Sequence, residues 1–354
     1  MNLSQIRIGN KTTTVPIIQG GMGIGVSLSS LASAVANEGG IGVISGVQIG
    51  FREADFDRNT QGANLRALAK EIKKARELSP KGIIGVNLMV AINNYVDMVK
   101  VAVEEKIDLI ISGAGLPKEL PGLVKGSNTK IAPIVSSAKA AVLITKLWLR
   151  RYDYLPDLII VEGTEAGGHL GYSFEELESE DSPKLEDTVI DVINSIKPFE
   201  ESSGKKIPVI AAGGIYNGSD INKFLKLGAT GVQMGTRFVA THECDASMEF
   251  KKAYIDSKED DIDLILSPVG MPGQAIINPF IKKVKAQKER ITKCFNCLTP
   301  CKPAKSPYCI SQALINAVEG NVDEGLIFIG KSGYKIDKIV SVKELIQELM
   351  TFTQ

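Results

Sequence analysis

Neither sign of charge is in surplus in this chain. Its 354 residues hold 41 Lys plus Arg and 41 Asp plus Glu, so the formal net charge is zero. That balance offers no basic footprint for nucleic acid, and no acidic tail is present. The basic stretch Lys282, Lys283, Lys285, Lys288 and Arg290 reads as a solvated helix face. Long apolar runs are missing too. Segments 107–115 and 158–161 fall far short of the ~20 residues that a membrane span needs. The opening residues MNLSQIRIGN lack a basic region followed by an apolar one, so they do not read as a signal peptide. A cytoplasmic protein is expected, free of membrane. Its five cysteines should then be mostly reduced unless they hold a metal. No Pro/Gly/Ser-rich linker divides the chain and no short-period repeat runs along it. One domain over residues 1–354 is therefore expected.

What is present is an ordinary globular composition, 44% hydrophobic and 23% charged, long enough to bury a sizeable core without staples. Eight short apolar runs read as strands: 15–21, 41–45, 83–90, 108–114, 131–137, 157–163, 207–214 and 231–238. They are near-continuous in Val and Ile rather than alternating, which suits parallel strands covered on both faces. Helical patterns separate them at 27–38, 65–78, 95–105, 138–149, 188–197 and 221–227, with a short, weakly helical segment at 117–125. Serines at the start of the first helix suggest caps. Strand-then-helix order repeated eight times in ~240 residues fits an α/β, (β/α)8 TIM barrel better than an open doubly wound sheet. Loops 48–62 and 171–183 interrupt the repeat and should overhang the active face. Residues 239–354 read as a helical, cysteine-containing extension packed on the barrel.

Glycines cluster where the barrel places its chemistry, at the strand ends. Gly20, Gly21 and Gly23 follow strand one, Gly113 and Gly115 strand four, Gly213 and Gly214 strand seven, and Gly235 precedes Thr236 in strand eight. Residues without Cβ let backbone N–H groups approach a phosphate, and the loops after strands seven and eight are a recurrent phosphate site in this fold. GGMGIG at 20–25 follows a strand, yet its glycines miss the G-x-G-x-x-G spacing, and just after the next strand stand Val47 and Gln48 rather than an acidic residue. A dinucleotide fingerprint is thus not met. Histidine is scarce. His169 lies among Gly167, Gly168 and Gly171, just past strand six, where an imidazole is placed to take a proton from an acidic carbon. His242, after strand eight, has no matched metal spacing and reads as structural or as a rim residue.

Cys294, Cys297, Cys301 and Cys309 form C-x2-C-x3-C-x7-C, with Pro300, Pro303 and Pro307 breaking helix between them. Such thiolates can bind zinc or an iron–sulfur cluster. The spacing matches none of the common patterns, which favours buried free thiols or redox-labile pairs over a bound metal, and no metal site is assigned. Cys244 stands alone.

In order along the chain, PIIQGGMG (16–23), GVN (85–87), EGTEAGGHLG (162–171), PVIAAGGI (208–215) and GVQMGTRF (231–238) resemble the nitronate monooxygenase (2-nitropropane dioxygenase-like) family. The FMN-dependent enoyl-acyl-carrier-protein reductases of the second type are similar. The resemblance implies FMN as cofactor. Gly21, Met22 and Gly23 would line the flavin through their backbone, and Asn87 would contact its ring or ribityl chain. Gly167 and Gly168 would let it lie close to strand six. Gly213, Gly214, Gly235 and Thr236 would hold its phosphate. His169 would be the base or orienting group near the reactive flavin nitrogen, and 267–276 a loop on the substrate side. The implied activity is oxidation of small alkyl nitronates by dioxygen to carbonyl compounds and nitrite. The cysteine-rich tail and loop 48–62 depart from the simplest members, and leave two other activities open. One is an NAD(P)H-dependent reductase of enoyl thioesters or quinones. The other is a flavin-free, phosphate-binding isomerase or lyase.

Overall fold

A computed structural model of the chain describes residues 5–351. The hairpin β1 (Arg7–Ile8) and β2 (Lys11–Thr12) comes first. The barrel follows with β3 (Ile17–Gln19), β4 (Ile41–Ser45), β5 (Ile83–Met89), β6 (Leu109–Gly113), β7 (Lys130–Val135) and β8 (Ile159–Glu162). After β8 the two-residue strand β9 (Gly168–His169) leaves the barrel, and β10 (Val209–Ala212) and β11 (Gly231–Met234) complete it. All eight barrel strands are parallel, and β11 closes the ring on β3 with Val232 opposite Ile17. Each was visible as an apolar run in the sequence.

Two-residue periodicity explains why those runs are continuous. Ile41 and Val43, Leu109 and Ile111, and Ile210 and Ala212 fill the barrel interior. Their neighbours Ile44, Ile110 and Ala211 face outward under the helices. Ile6 and Ile8 join the interior cluster and plug the end from which the strands start. At that same end Asp108 binds Lys11 and Arg76 and accepts the Ile84 N–H. Asp157 likewise draws in Lys130, Lys205 and the Tyr154 hydroxyl.

The seam between β3 and β4 is thin, with only Ile18 paired to Ile41. Gln19 repairs it. Its buried side-chain amide accepts the Val43 N–H at 3.0 Å and donates to the Val43 carbonyl at 3.2 Å.

The helices are α1 (Ser29–Asn37), α2 (Thr60–Leu78), α3 (Tyr95–Glu104), α4 (Leu120–Leu123), α5 (Ala138–Tyr152), α6 (Phe174–Glu178), α7 (Leu185–Ser203), α8 (Gly218–Lys226) and α9 (Thr236–Val239). Beyond the barrel lie α10 (Met248–Asp256), β12 (Ile262–Leu266), β13 (Pro272–Ile276), α11 (Pro279–Ala286), α12 (Ile310–Val318) and α13 (Val342–Thr351). Among the described residues no helix is long and apolar enough to cross a membrane.

Several expectations need correction. The run 231–238 is strand only to Met234. Gly235 then turns the chain into α9. Loop 48–62 is shorter than read, because Asn59 caps α2 by accepting the Gly62 N–H. Loop 171–183 contains α6, opened by a capping box between Ser173 and Glu176. The tail is not purely helical, since β12 and β13 lie within it, and 272–276 is strand rather than loop. No serine caps α1. The Asp245 carboxylate, from the tail, accepts the Leu28 and Leu31 N–H groups, and Glu71 accepts that of Ser29.

Candidate active site at the strand ends

A cavity of about 280 Å³ opens at the C-terminal ends of the barrel strands. It draws together Gly21, Met22 and Gly23 after β3, Asn87 on β5, and Gly167, Gly168 and His169 beyond β8. Gly213 and Gly214 after β10, and Gly235 and Thr236 after β11, complete that set. His242 lies outside this lining, its backbone N–H bonded to the Val340 carbonyl.

These glycines do different jobs. A Cβ on Gly21 would meet the Asn87 side chain at 2.4 Å, and one on Gly23 would meet Val47 at 2.0 Å, so both permit close packing of the loop after β3 on β4 and β5. A Cβ on Gly167 would strike the backbone of Ile329 and Gly330 at 2.6 Å. Gly168 differs: its φ of +90° favours glycine, yet nothing lies within 4 Å of where a Cβ would stand. Gly213 and Gly214 take φ of +96° and +73° in succession, which turns the backbone after β10 towards the cavity. The Thr236 hydroxyl accepts the Gly330 N–H at 3.1 Å, tying the tail to the same rim.

His169 is set by the tail. As β9 it pairs antiparallel to β13, opposite Gly273. The β12–β13 hairpin turns at Ser267–Met271, where the Ser267 N–H donates to the Met271 carbonyl at 2.9 Å and Gly270 takes φ of +82°. That turn brings the Ser267 hydroxyl 2.7 Å from His169 Nε2. The imidazole also tilts against the Phe328 ring, centroids 5.1 Å apart. Burial pushes its pKa down to about 4, so it is neutral at pH 7.

Other residues of the cavity were not singled out from the sequence. Glu162 ends β8, and burial pushes its carboxyl up to about 7. Gln233 on β11 keeps a buried Oε1 without a hydrogen-bond partner among the described residues. Both are polar residues near the end of an apolar strand, and that position was the available clue. Phe328, Tyr254, Leu298 and Ile310 add an apolar wall; nothing local in the sequence connects them with the barrel mouth. The one guanidinium of the lining, Arg237, is committed elsewhere, donating to the Tyr216 carbonyl and to Glu348 at 2.9 Å each. The arrangement offers backbone N–H groups, a neutral imidazole, a carboxyl poised between its two states, and an apolar roof. It suits a planar heteroaromatic group held edge-on by hydrogen bonds.

The family model described as nitronate monooxygenase matches residues 5–351. A probable nitronate monooxygenase from Staphylococcus aureus (strain Newman) is 28% identical over 294 residues, covering 76% of this chain and 77% of its own length. Among solved structures, FabK from Thermotoga maritima is 28% identical with a TM-score of 0.73, over 96% of this chain and 92% of that one. Nitroalkane oxidase from Streptomyces ansochromogenes shares the fold with a TM-score of 0.74 at 20% identity, over 96% of each chain. The match runs along the described chain, and its motifs end at one cavity on a (β/α)8 barrel: the chain is an oxidoreductase and belongs to the nitronate monooxygenase family.

Proposed function

We propose that this protein is an FMN-dependent nitronate monooxygenase that takes its substrate as the preformed nitronate anion. The residues present suit the flavin. The successive positive-φ glycines Gly213 and Gly214, with Gly235 and Thr236, would hold its phosphate. The unpartnered Gln233 Oε1 supplies an acceptor for a ring N–H, because a buried acceptor left unpaired is costly. Gly168, with open space at its α-carbon, leaves room for a ring near β9. Met22, Asn87 and Gly167 line the same space. When bound, FMN supplies the electron-accepting and oxygen-activating chemistry, and the chain supplies binding, orientation and electrostatics.

The observation that carries the substrate reading is the state of His169. A general base works best with a pKa near the working pH. An imidazole held at about 4 is a poor acceptor for the proton of a neutral nitroalkane. With Nε2 held by Ser267, His169 instead orients a substrate that has already lost its proton. Phe328 and Leu298 exclude water around it.

The test is anaerobic bleaching of the FMN-loaded protein by a preformed alkyl nitronate, the matching neutral nitroalkane, NADH and NADPH, each added separately. Rapid bleaching by the nitronate, with the nitroalkane slower by at least about tenfold, is expected. Equal rates would give His169 back its role as base. Rapid bleaching by NADH or NADPH alone would replace the reading with a reductase of enoyl thioesters or quinones. Failure to retain FMN would favour the flavin-free isomerase or lyase.

A further inference from the structure

Among the described residues, the lining of the catalytic cavity holds the carboxyl groups of Glu162 and Glu165, the Arg237 guanidinium and no lysine. Arg237 is committed to the Tyr216 carbonyl and to Glu348, and burial keeps His169 neutral. Lys331 and Lys335 line a neighbouring cavity of about 670 Å³ that shares Gly213 and Gly214, but neither belongs to the catalytic lining. A site that is to hold a phosphate monoester thus offers it no free cation. It offers a carboxyl instead.

Strand register places that carboxyl. On β8, Leu158 and Ile160 belong to the barrel interior, and Ile159 and Val161 to the layer under the helices. Two-residue alternation therefore turns Glu162 inward, at the floor of the cavity. Its partner on β10 is Ala212, whose carbonyl accepts the Gly163 N–H at 2.9 Å. The turn at Gly213 and Gly214 follows at once, so Glu162 stands beside the backbone that would receive the phosphate. Among the described residues no donor bonds its side chain and no cation pairs with it. Burial acts on it alone and pushes its pKa up to about 7. The groups around it leave it so. The Tyr172 hydroxyl donates to the main-chain carbonyls of Glu162 and Ser136, at 2.9 and 3.2 Å. Burial, then Glu162 and Glu176, push the Tyr172 pKa up to about 12. Burial also raises the Cys297 thiol and the Tyr254 hydroxyl. Glu165 is exposed, where water and salt screen it.

We propose that the cavity takes up the flavin phosphate together with one proton, carried by the Glu162 side chain. This rests on FMN as the cavity's occupant. Two like charges in a site without a cation repel strongly, because little water screens them. With its proton in place the carboxyl is neutral and becomes a hydrogen-bond donor. Bound phosphate disfavours the loss of that proton, so the carboxyl's pKa rises further in the complex. Between about 7 and that higher value, the complex holds one proton that the flavin-free protein has lost. Affinity for FMN therefore falls about tenfold for each unit that pH rises through this window. Below it the carboxyl is already protonated and the dependence fades. A phosphate monoester loses its second proton near ~6, so the phosphate does not itself titrate in the window.

Dilution of the FMN-loaded protein at pH 7, 8 and 9, with released FMN read by its fluorescence, gives the dissociation constant at each pH. It should rise about tenfold per unit in the wild type. Glu162→Gln, which keeps the shape and a donor but no titrating proton, should hold FMN with a constant that changes by less than about threefold over the same range. Riboflavin, which has the ring without the phosphate, should show no such slope in either protein. A flat wild-type profile would overturn the proposal and leave FMN as the cofactor. The same slope in Glu162→Gln, or with riboflavin, would overturn it too. Failure to hold FMN at every pH would remove the FMN assignment, and this inference with it. If Glu162→Gln does not fold, calorimetry of FMN binding to the flavin-free wild type at pH 8, in two buffers of different ionisation enthalpy, decides alone. Uptake of about one proton is expected, and no uptake overturns the proposal.

Discussion

Burial sets the protonation of two groups in the cavity, in opposite senses. His169 has a folded pKa of about 4, below the ordinary histidine value near 6.5. The unfolded chain therefore binds more protons than the folded one between those limits, and stability falls as pH drops through that window. His169 should show no titration of its ring proton resonances between pH 6 and 8 in nuclear magnetic resonance spectra assigned with a His242→Gln variant. An inflection near pH 6.5 would contradict its burial. Ser267→Ala removes the hydroxyl at 2.7 Å from Nε2. It should lower kcat/KM on a nitronate by about tenfold, the worth of one such hydrogen bond, with FMN content unchanged. Glu162 runs the other way. Its carboxyl is raised to about 7, so the folded chain holds a proton that the unfolded chain has lost above ~4.3. Stability falls as pH rises towards 7, by up to about 3 kcal/mol. Glu162→Gln should therefore melt higher than wild type at pH 8 and nearly equal to it at pH 4, as thermal melts at the two pH values would reveal.

At the scale of elements, the barrel depends on a side chain where main-chain pairing lapses. Gln19→Leu would leave the N–H and carbonyl of Val43 buried without partners between β3 and β4. Each such loss costs about 1–3 kcal/mol, so urea unfolding should show a loss of about 2–5 kcal/mol. A loss under about 0.5 kcal/mol would mean that the strands can re-pair without it. The sheet β12–β13–β9 is the second decisive element. It turns His169 from a residue on a glycine-rich loop into the edge of a three-stranded sheet, and the turn of its hairpin delivers Ser267.

Over the whole molecule, the tail is bound to the barrel at many points. Asp245 caps α1, Val340 bridges to Thr241, and Ile329 and Gly330 cover Gly167. Helix α13 buries Val342, Leu345 and Leu349 completely and packs on α1 and α8. Leu345→Ala should cost about 2–5 kcal/mol. Calorimetry should still show one cooperative transition, because the tail and the barrel share a continuous core. Two separated transitions would mean that residues 239–354 fold on their own.

The eight barrel strands were legible because a strand covered on both faces must be apolar throughout, a local property of the chain. The glycines at the strand ends were legible because a turn without room for Cβ excludes other residues. His169 stood out through its glycine neighbours. Its protonation state did not, because that depends on Phe328, Ser267 and the depth of burial, all supplied by residues far along the chain. The α1 cap was misread for the same reason: local serines were available, but Asp245 reaches those N–H groups from more than two hundred residues away. The sequence by itself determined the barrel, its order of strands and the end at which its glycines gather, since these follow from hydrophobic period and turn composition. Only the tertiary structure decided what surrounds His169, which carboxyl shares its cavity and how the tail roofs the cavity, since desolvation and hydrogen bonding act between groups that only folding brings together.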